Sequence, residues 1–183
     1  MDNGASSYRR FLAGDESAFD EIIKEYFHSL VFFVNRYVQD LYTAEDIAID
    51  ALSDLIVHRH RYHFGTSLKT YLFMIGRSRA LDYIKHRKVM NETELSDADG
   101  VVDDNQDPFA ILVADERKRL VHQALEKLPA DMQTAVHLVY FAELSYEETA
   151  KVMRKNRKQV DNLLYRAKKE LHIILGKEGE QLL

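Results

Sequence analysis

The 183-residue sequence contains no cysteine, two prolines and seven scattered glycines. Without thiols it has neither a disulfide scaffold nor a thiolate zinc site. The glycines never gather into a phosphate-cradling loop, so the usual nucleotide-binding signature is missing. No uninterrupted apolar stretch approaches the length that crosses a bilayer, and the N-terminus lacks a charged-then-apolar export signal. The expectation is a cytoplasmic protein with no membrane insertion. With 46 % hydrophobic residues, the chain has enough apolar content to bury real cores, as one ordinary domain or two small ones.

The formal net charge of -5 averages unlike segments. Val89 to Glu116 carries nine carboxylates and no Lys or Arg, whereas Arg154 to Lys169 carries seven cations against one aspartate. The acidic stretch NETELSDADGVVDDNQDP has little apolar content and ends at Pro108, which predicts a flexible tether. Two domains, 8–88 and 110–176, are therefore expected on either side of an acidic linker, 89–109.

The hydrophobic periodicity is helical nearly throughout. Phe19, Ile22, Ile23, Tyr26, Phe27, Leu30, Val31, Val34 and Tyr37 recur at helical spacing behind Asp15, a good N-cap. Thr43 caps the next helix in this reading, with Asp46 at the capping-box position and Ile47, Ala48, Ala51, Leu52, Leu55 and Ile56 as the buried stripe. HRYHFGTS interrupts. Thr66 or Ser67 then restarts a helix through Leu68, Tyr71, Leu72 and Ile75 into the cations Arg77, Arg79, Lys85, Arg87 and Lys88. Beyond the linker, Leu120, Ala124, Leu125 and Leu128 mark a helix stopped by Pro129. Met132, Val136 and Val139 mark another that fades near Glu143.

Ser145-Tyr-Glu-Glu148 is a capping box that opens a short helix to about Met153, and Asn156 with Gln159 opens a second box and a helix to about Leu175. Two helices so closely joined have helix-turn-helix spacing, in which the second helix enters the major groove. Arg157, Lys158, Gln159, Asn162 and Arg166 crowd its N-terminal end, with Lys168 and Lys169 beyond, as phosphate clamping around a base-reading edge requires. Two roles stand open for Gln159: a bidentate contact to adenine, or a fold back onto Asn156.

Other chemistries find less support. His58, His60 and His63 lie close together, but without HExxH spacing they serve equally well as phosphate neighbours beside Arg59 and Arg61. The paired acids Asp15/Glu16, Glu45/Asp46 and Glu147/Glu148 sit at predicted helix starts, where the helix dipole accounts for them. The expectation is a protein that is no enzyme and needs neither cofactor nor metal.

The stretch LPADMQTAVHLVYFAELSYEETAKVMRKNRKQVDNLLYRAKKEL resembles the promoter-reading C-terminal domain of bacterial sigma factors. FLAGDESAFDEIIKEYFHSL, TAEDIAIDAL and SLKTYLFMIGRSRALDYIKHRK resemble, in order, the N-terminal domain of the extracytoplasmic-function group of the sigma-70 family. The resemblance implies an all-α protein, a region 2 bundle and a region 4 helix-turn-helix. It would join core RNA polymerase at the clamp and flap, recognise minus-10 and minus-35 promoter DNA, and help to open it. An anti-sigma factor is a further partner the family would allow.

By position, the resemblance implies that Asp46, Ile49, Asp50, Ser53 and Asp54 dock on the polymerase. Tyr62, His63, Phe64, Ser67, Tyr71, Ser78, Arg79 and Asp82 fall on the minus-10 surface, and Arg157, Lys158, Gln159, Asn162, Arg166 and Lys169 on the minus-35 surface. Several positions depart from the family's habit. Ile49 replaces a usual glutamine, and Leu52 and Ile56 stand where aromatics are common. Tyr71 replaces a frequent tryptophan and Ser78 a frequent asparagine. Arg154 stands in the turn where glycine is frequent, Asp161 where a cation is frequent, and Leu163 where arginine is common. Asp50 and Asp54 also read as a solvated helix face, and Tyr71 as core.

Two other functions fit parts of the pattern: a helix-turn-helix regulator independent of polymerase, and a helical protein that sequesters a regulator. A response regulator would need alternating strands and helices in its N-terminal half, which the periodicity does not give.

Overall fold

The computed structural model describes residues 4–93 and 116–176, and every regular element among them is helical. The chain divides into two compact units, residues 1–102 and 103–183. The expected linker falls outside the described residues from position 94 onward; its first residues belong to a helix that runs on to Thr93.

The first unit comprises α1 (Ala5–Leu12), α2 (Ser17–Val38), α3 (Leu41–Val57), a 3-10 turn (Arg59–Arg61) and α4 (Leu68–Thr93). The central α2 packs against the other three helices. Phe19, Ile22, Tyr26, Leu30, Val31 and Val34 are buried along it, as the periodicity predicts. Phe33 and Val38 are buried too, because a helix with neighbours on several sides needs a stripe wider than one face. Ile23, on the remaining side, is 38 % exposed. At Gly76 the α2–α4 approach is so close that a Cβ would meet Leu30 Cδ1 at 2.8 Å.

Two expected helix starts move. Asp40, not Thr43, caps α3: its backbone is extended (φ -146, ψ 117) and its carboxylate accepts from the Thr43 amide at 2.8 Å. Gln39 takes the left-handed conformation (φ 54), so only Gln39 and Asp40 join α2 to α3. Asp15 does not occupy the N-cap of α2, which falls on Glu16. Its carboxylate instead accepts from Ser17 Oγ at 2.6 Å and pairs with Arg10 at 2.6 Å, and both contacts hold it below the usual aspartate range. Ser67 does act as a start signal, accepting from the Thr70 amide at 3.2 Å.

The second unit comprises α5 (Glu116–Glu126), α6 (Ala130–Val136), α7 (Tyr146–Met153) and α8 (Arg157–Leu175). Between α5 and α6, Gln133 Nε2 donates to the carbonyls of Glu126 and Leu128, satisfying the end of α5 ahead of Pro129. Leu120, expected in the stripe of α5, is 41 % exposed, whereas Ala124, Leu125 and Leu128 are buried. Helix α6 widens into a π-helical turn over His137–Phe141. The wider turn shifts the register, so Leu138 is buried and Val139 only half-buried. Val160, Leu164, Ala167 and Leu171 form the buried stripe of α8.

Candidate nucleic-acid interface and docking face

The helix-turn-helix is built from caps local in sequence. Ser145 Oγ accepts from the Glu148 amide at 3.2 Å, and the Glu148 carboxylate accepts from the Ser145 amide at 3.0 Å. At the end of α7, Arg154 is left-handed (φ 54, ψ 45) and Lys155 N–H returns to the Ala150 carbonyl at 2.9 Å. This is a Schellman-type stop in the position where glycine is the easiest residue. Lys155 Nζ pairs with Asp131 of α6 at 3.0 Å, fixing the turn to the helix behind it.

The second box starts α8. Asn156 Oδ1 accepts from the Gln159 amide at 2.8 Å, and Gln159 Oε1 accepts from the Asn156 amide at 2.9 Å. Of the two roles open for Gln159, the geometry therefore takes the cap. Arg157 also turns aside, pairing with Glu147 of α7 at 3.2 Å.

The buried stripe dictates what α8 presents. Lys158, Asn162, Tyr165 and Lys169 follow one another at helical spacing on the side away from Val160 and Leu164, with Arg166 adjacent, and all five are exposed. Tyr165, 72 % exposed, is the member that charge-based reading of the sequence misses. The signal for it is its spacing from Lys158 and Asn162. Asp161 flanks the ridge, and its charge, after burial and Tyr140, helps to raise the Tyr146 hydroxyl pKa.

In the first unit, the residues expected on α3 separate into two groups. Asp46 and Ile49 are exposed and Ser53 is half-buried, on a row with Tyr42 (80 % exposed) and Ile56 (40 % exposed). Ile56 is thus an outward residue and not part of the buried stripe. Asp50 and Asp54 face α4 instead, where Arg79 reaches both, at 3.1 and 2.9 Å. Asp54 also lies 3.0 Å from His58 Nδ1. Burial raises the Asp54 carboxyl, but the Arg79 and His58 contacts outweigh it and hold its pKa below the ordinary value.

The expected minus-10 residues are likewise unequal. Tyr62 is buried (5 % exposed), donates to the Thr66 carbonyl at 2.7 Å, and packs against Tyr8, Phe64 and Tyr71. It is a core residue of the loop and offers no free face for a base. Half-buried Tyr71 packs on it, with its hydroxyl pKa raised by burial and by the Asp54 charge. Ser67 is engaged as the cap of α4, and Arg79 is committed to α3. His63 and Asp82 are exposed, and Phe64 and Ser78 half-exposed. Among the described residues, no helix is long and apolar enough to cross a membrane.

Residues 22–89 match the family described as Sigma-70 region 2, and residues 118–171 the one described as Sigma-70, region 4. The chain is 27 % identical over 170 residues to the RNA polymerase sigma-H factor of Pseudomonas aeruginosa, covering 88 % of each. It is 26 % identical over 161 residues to the ECF RNA polymerase sigma factor SigM of Bacillus subtilis, covering 86 % of this chain and 95 % of that one. Among solved structures, it is similar in fold to the sigma factor RpoE of Bartonella quintana in complex with the anti-sigma factor NepR. That likeness has a TM-score of 0.63 at 21 % identity and covers 86 % of this chain and 96 % of the other. CnrH in complex with the cytosolic domain of CnrY gives a TM-score of 0.62 at 17 % identity, with 94 % of each chain covered. The two family matches take in more than half of the chain, in the order the helices are laid down, and the chain belongs to the extracytoplasmic-function group of the sigma-70 family, the sigma subunits of RNA polymerase.

Proposed function

We propose that the two units form a two-site grip on promoter DNA. Residues 110–176 read the minus-35 element through Lys158, Asn162, Tyr165, Arg166 and Lys169. Residues 8–88 hold the minus-10 element through His63, Phe64, Ser78, Asp82 and the cations that follow on α4. The observation that carries this reading is the outward ridge of α8. Its donors and its aromatic ring are aimed away from the core by a stripe and a cap that leave them unengaged among the described residues.

The row Tyr42, Asp46, Ile49, Ser53 and Ile56 on α3 is the face for the polymerase clamp. A continuous apolar-polar row on an exposed helix is suited to docking rather than to solvation. On this reading Asp50 and Asp54 support the face from behind through Arg79. The acidic segment 89–109 tethers the two sites, and the protein acts in the cytoplasm as a non-catalytic subunit. The sigma factor RpoE of Bartonella quintana is held in its solved structure by the anti-sigma factor NepR, and a partner of that kind would act here by covering the α3 row or the α8 ridge.

Run-off transcription with purified core polymerase, on the DNA upstream of the protein's own gene, tests the reading. Initiation that depends on this protein, with core binding lost on Ile49→Asp and promoter binding lost on Arg166→Ala, is the expected result. A protein that fails to bind core polymerase overturns it.

A further inference from the structure

The mechanism above leaves α1 without a task, yet α1 makes an unusual set of contacts with the connection between α3 and α4. Tyr8 is fully buried, and its hydroxyl donates to the Leu55 carbonyl at 2.8 Å. Leu55 lies in the last turn of α3, whose carbonyls have no partner within the helix. Arg59 Nε donates to the neighbouring Ile56 carbonyl at 3.2 Å, and the same guanidinium sits 4.9 Å over the ring of Phe11. Tyr8 meets Tyr62 edge-on at 5.5 Å and Phe64 at 6.1 Å. Finally, the Arg9 guanidinium lies 4.7 Å over the Phe64 ring.

Phe64 needs this support. Its φ of 58° is left-handed, a conformation that bulky L-residues resist because Cβ crowds the following carbonyl. A loop holding such a residue keeps its shape only where its surroundings over-determine it. Here the surroundings are Tyr62 at 4.8 Å and, from α1, Tyr8 at 6.1 Å and the Arg9 guanidinium at 4.7 Å over the ring. Gly4 sets α1 in place: at φ 80 its backbone comes so near Tyr26 and Leu68 that a Cβ would meet Tyr26 Oη at 2.7 Å.

We propose that α1 is a latch on the α3–α4 loop, in which Tyr8 and Arg9 hold Phe64 in its left-handed conformation and so position the loop for promoter DNA. Arg9 is the adjustable member, because it is exposed and bears on Phe64 through its ring face alone among the contacts described. It is a positioning residue: it orders the reading loop and need not touch a base. This deepens the reading of His63 and Phe64 as a promoter contact and rests on it.

Arg9→Ala and Arg9→Lys in the full-length protein test the latch, because the side chain is exposed and its removal leaves the core untouched. Backbone amide relaxation at His63, Phe64 and Gly65 should show the loop gaining fast motion in Arg9→Ala and recovering partly in Arg9→Lys. Run-off transcription with purified core polymerase should fall by roughly three-fold in Arg9→Ala, the size of one exposed cation–π contact, with core affinity unchanged. The deficit should shrink on a template already melted across the minus-10 element. A loop equally rigid in wild type and Arg9→Ala overturns the latch. A loosened loop with unchanged initiation leaves the latch standing and overturns the assignment of His63 and Phe64 to promoter DNA.

Discussion

Arg79 of α4 and Asp54 of α3 share a 2.9 Å ion pair, in which the carboxylate side chain is only 15 % exposed. The same guanidinium reaches Asp50, so one side chain fastens α3 to α4, the helix that follows the loop. Removing it leaves Asp54 half-desolvated beside His58. Arg79→Ala should destabilise the first unit by about 1–2 kcal/mol, since Arg79 at 35 % exposed keeps the pair from counting as fully buried. Urea unfolding followed by a probe in that unit measures the difference.

The pair also fixes a direction of pH dependence. The Asp54 pKa is lowered in the folded protein, so its contribution is fully present above the ordinary carboxylate value and is lost as pH falls through the folded value. Wild type and Arg79→Ala should therefore differ at neutral pH and converge in acid. A difference that stays constant with pH would mean that the mutation acts through packing and not through charge.

Arg154 carries a left-handed backbone in the turn of the helix-turn-helix. Arg154→Gly should raise the thermal midpoint of the second unit, with a gain of about 1 kcal/mol from relief of that conformation. The same variant should bind DNA slightly more weakly, having lost a cation. A lower midpoint would show that the Arg154 side chain stabilises the turn by more than its backbone strains it.

On α8 the roles divide by chemistry. Arg166→Ala should weaken promoter binding by about 1–3 kcal/mol and relax preference at one base pair. Lys158→Ala should weaken all sequences alike and lower the salt slope by about one. Tyr165→Ala belongs to the first class if the ring meets a base edge, which binding to single-position promoter variants reads directly. Uniform loss for all three would make the ridge a phosphate clamp.

Ile49→Asp should abolish most core-polymerase affinity while shifting stability by no more than about 0.5 kcal/mol, because Ile49 is 51 % exposed. Co-sedimentation with core polymerase beside a thermal melt separates the two effects. A destabilised Ile49→Asp would place the residue in the fold and not on its surface.

What could be read from the sequence follows the distance over which each feature is encoded. Both helix-turn-helix boxes are legible because Ser145 with Glu148 and Asn156 with Gln159 lie three residues apart and satisfy each other. The start of α3 is ambiguous for the same reason: Asp40 and Thr43 are both capping residues, and backbone conformation alone decides between them. Helix α1 is illegible, since its main anchor, Tyr8 to Leu55, spans 47 residues. Tyr62 illustrates the limit for sites. An aromatic residue in a loop reads as a stacking surface, but a neighbouring Tyr8 and Tyr71 absorb it into the core. Likewise, the charges of Asp50, Asp54 and Arg79 point outward in any helical projection until α3 and α4 are laid side by side.

Among the described residues, the side chains of Lys158, Asn162, Arg166 and Lys169 form no hydrogen bond or ion pair, while the frame beneath them closes on itself through its caps, its turn and its apolar stripe. Framework and outward ridge are thus separable in inheritance. Substitutions along the ridge can accumulate without disturbing folding, and on the proposed promoter-reading role they would redirect the protein to another set of genes, so divergence among duplicated copies should accumulate there first and leave Ser145, Asn156, Val160 and Leu164 in place.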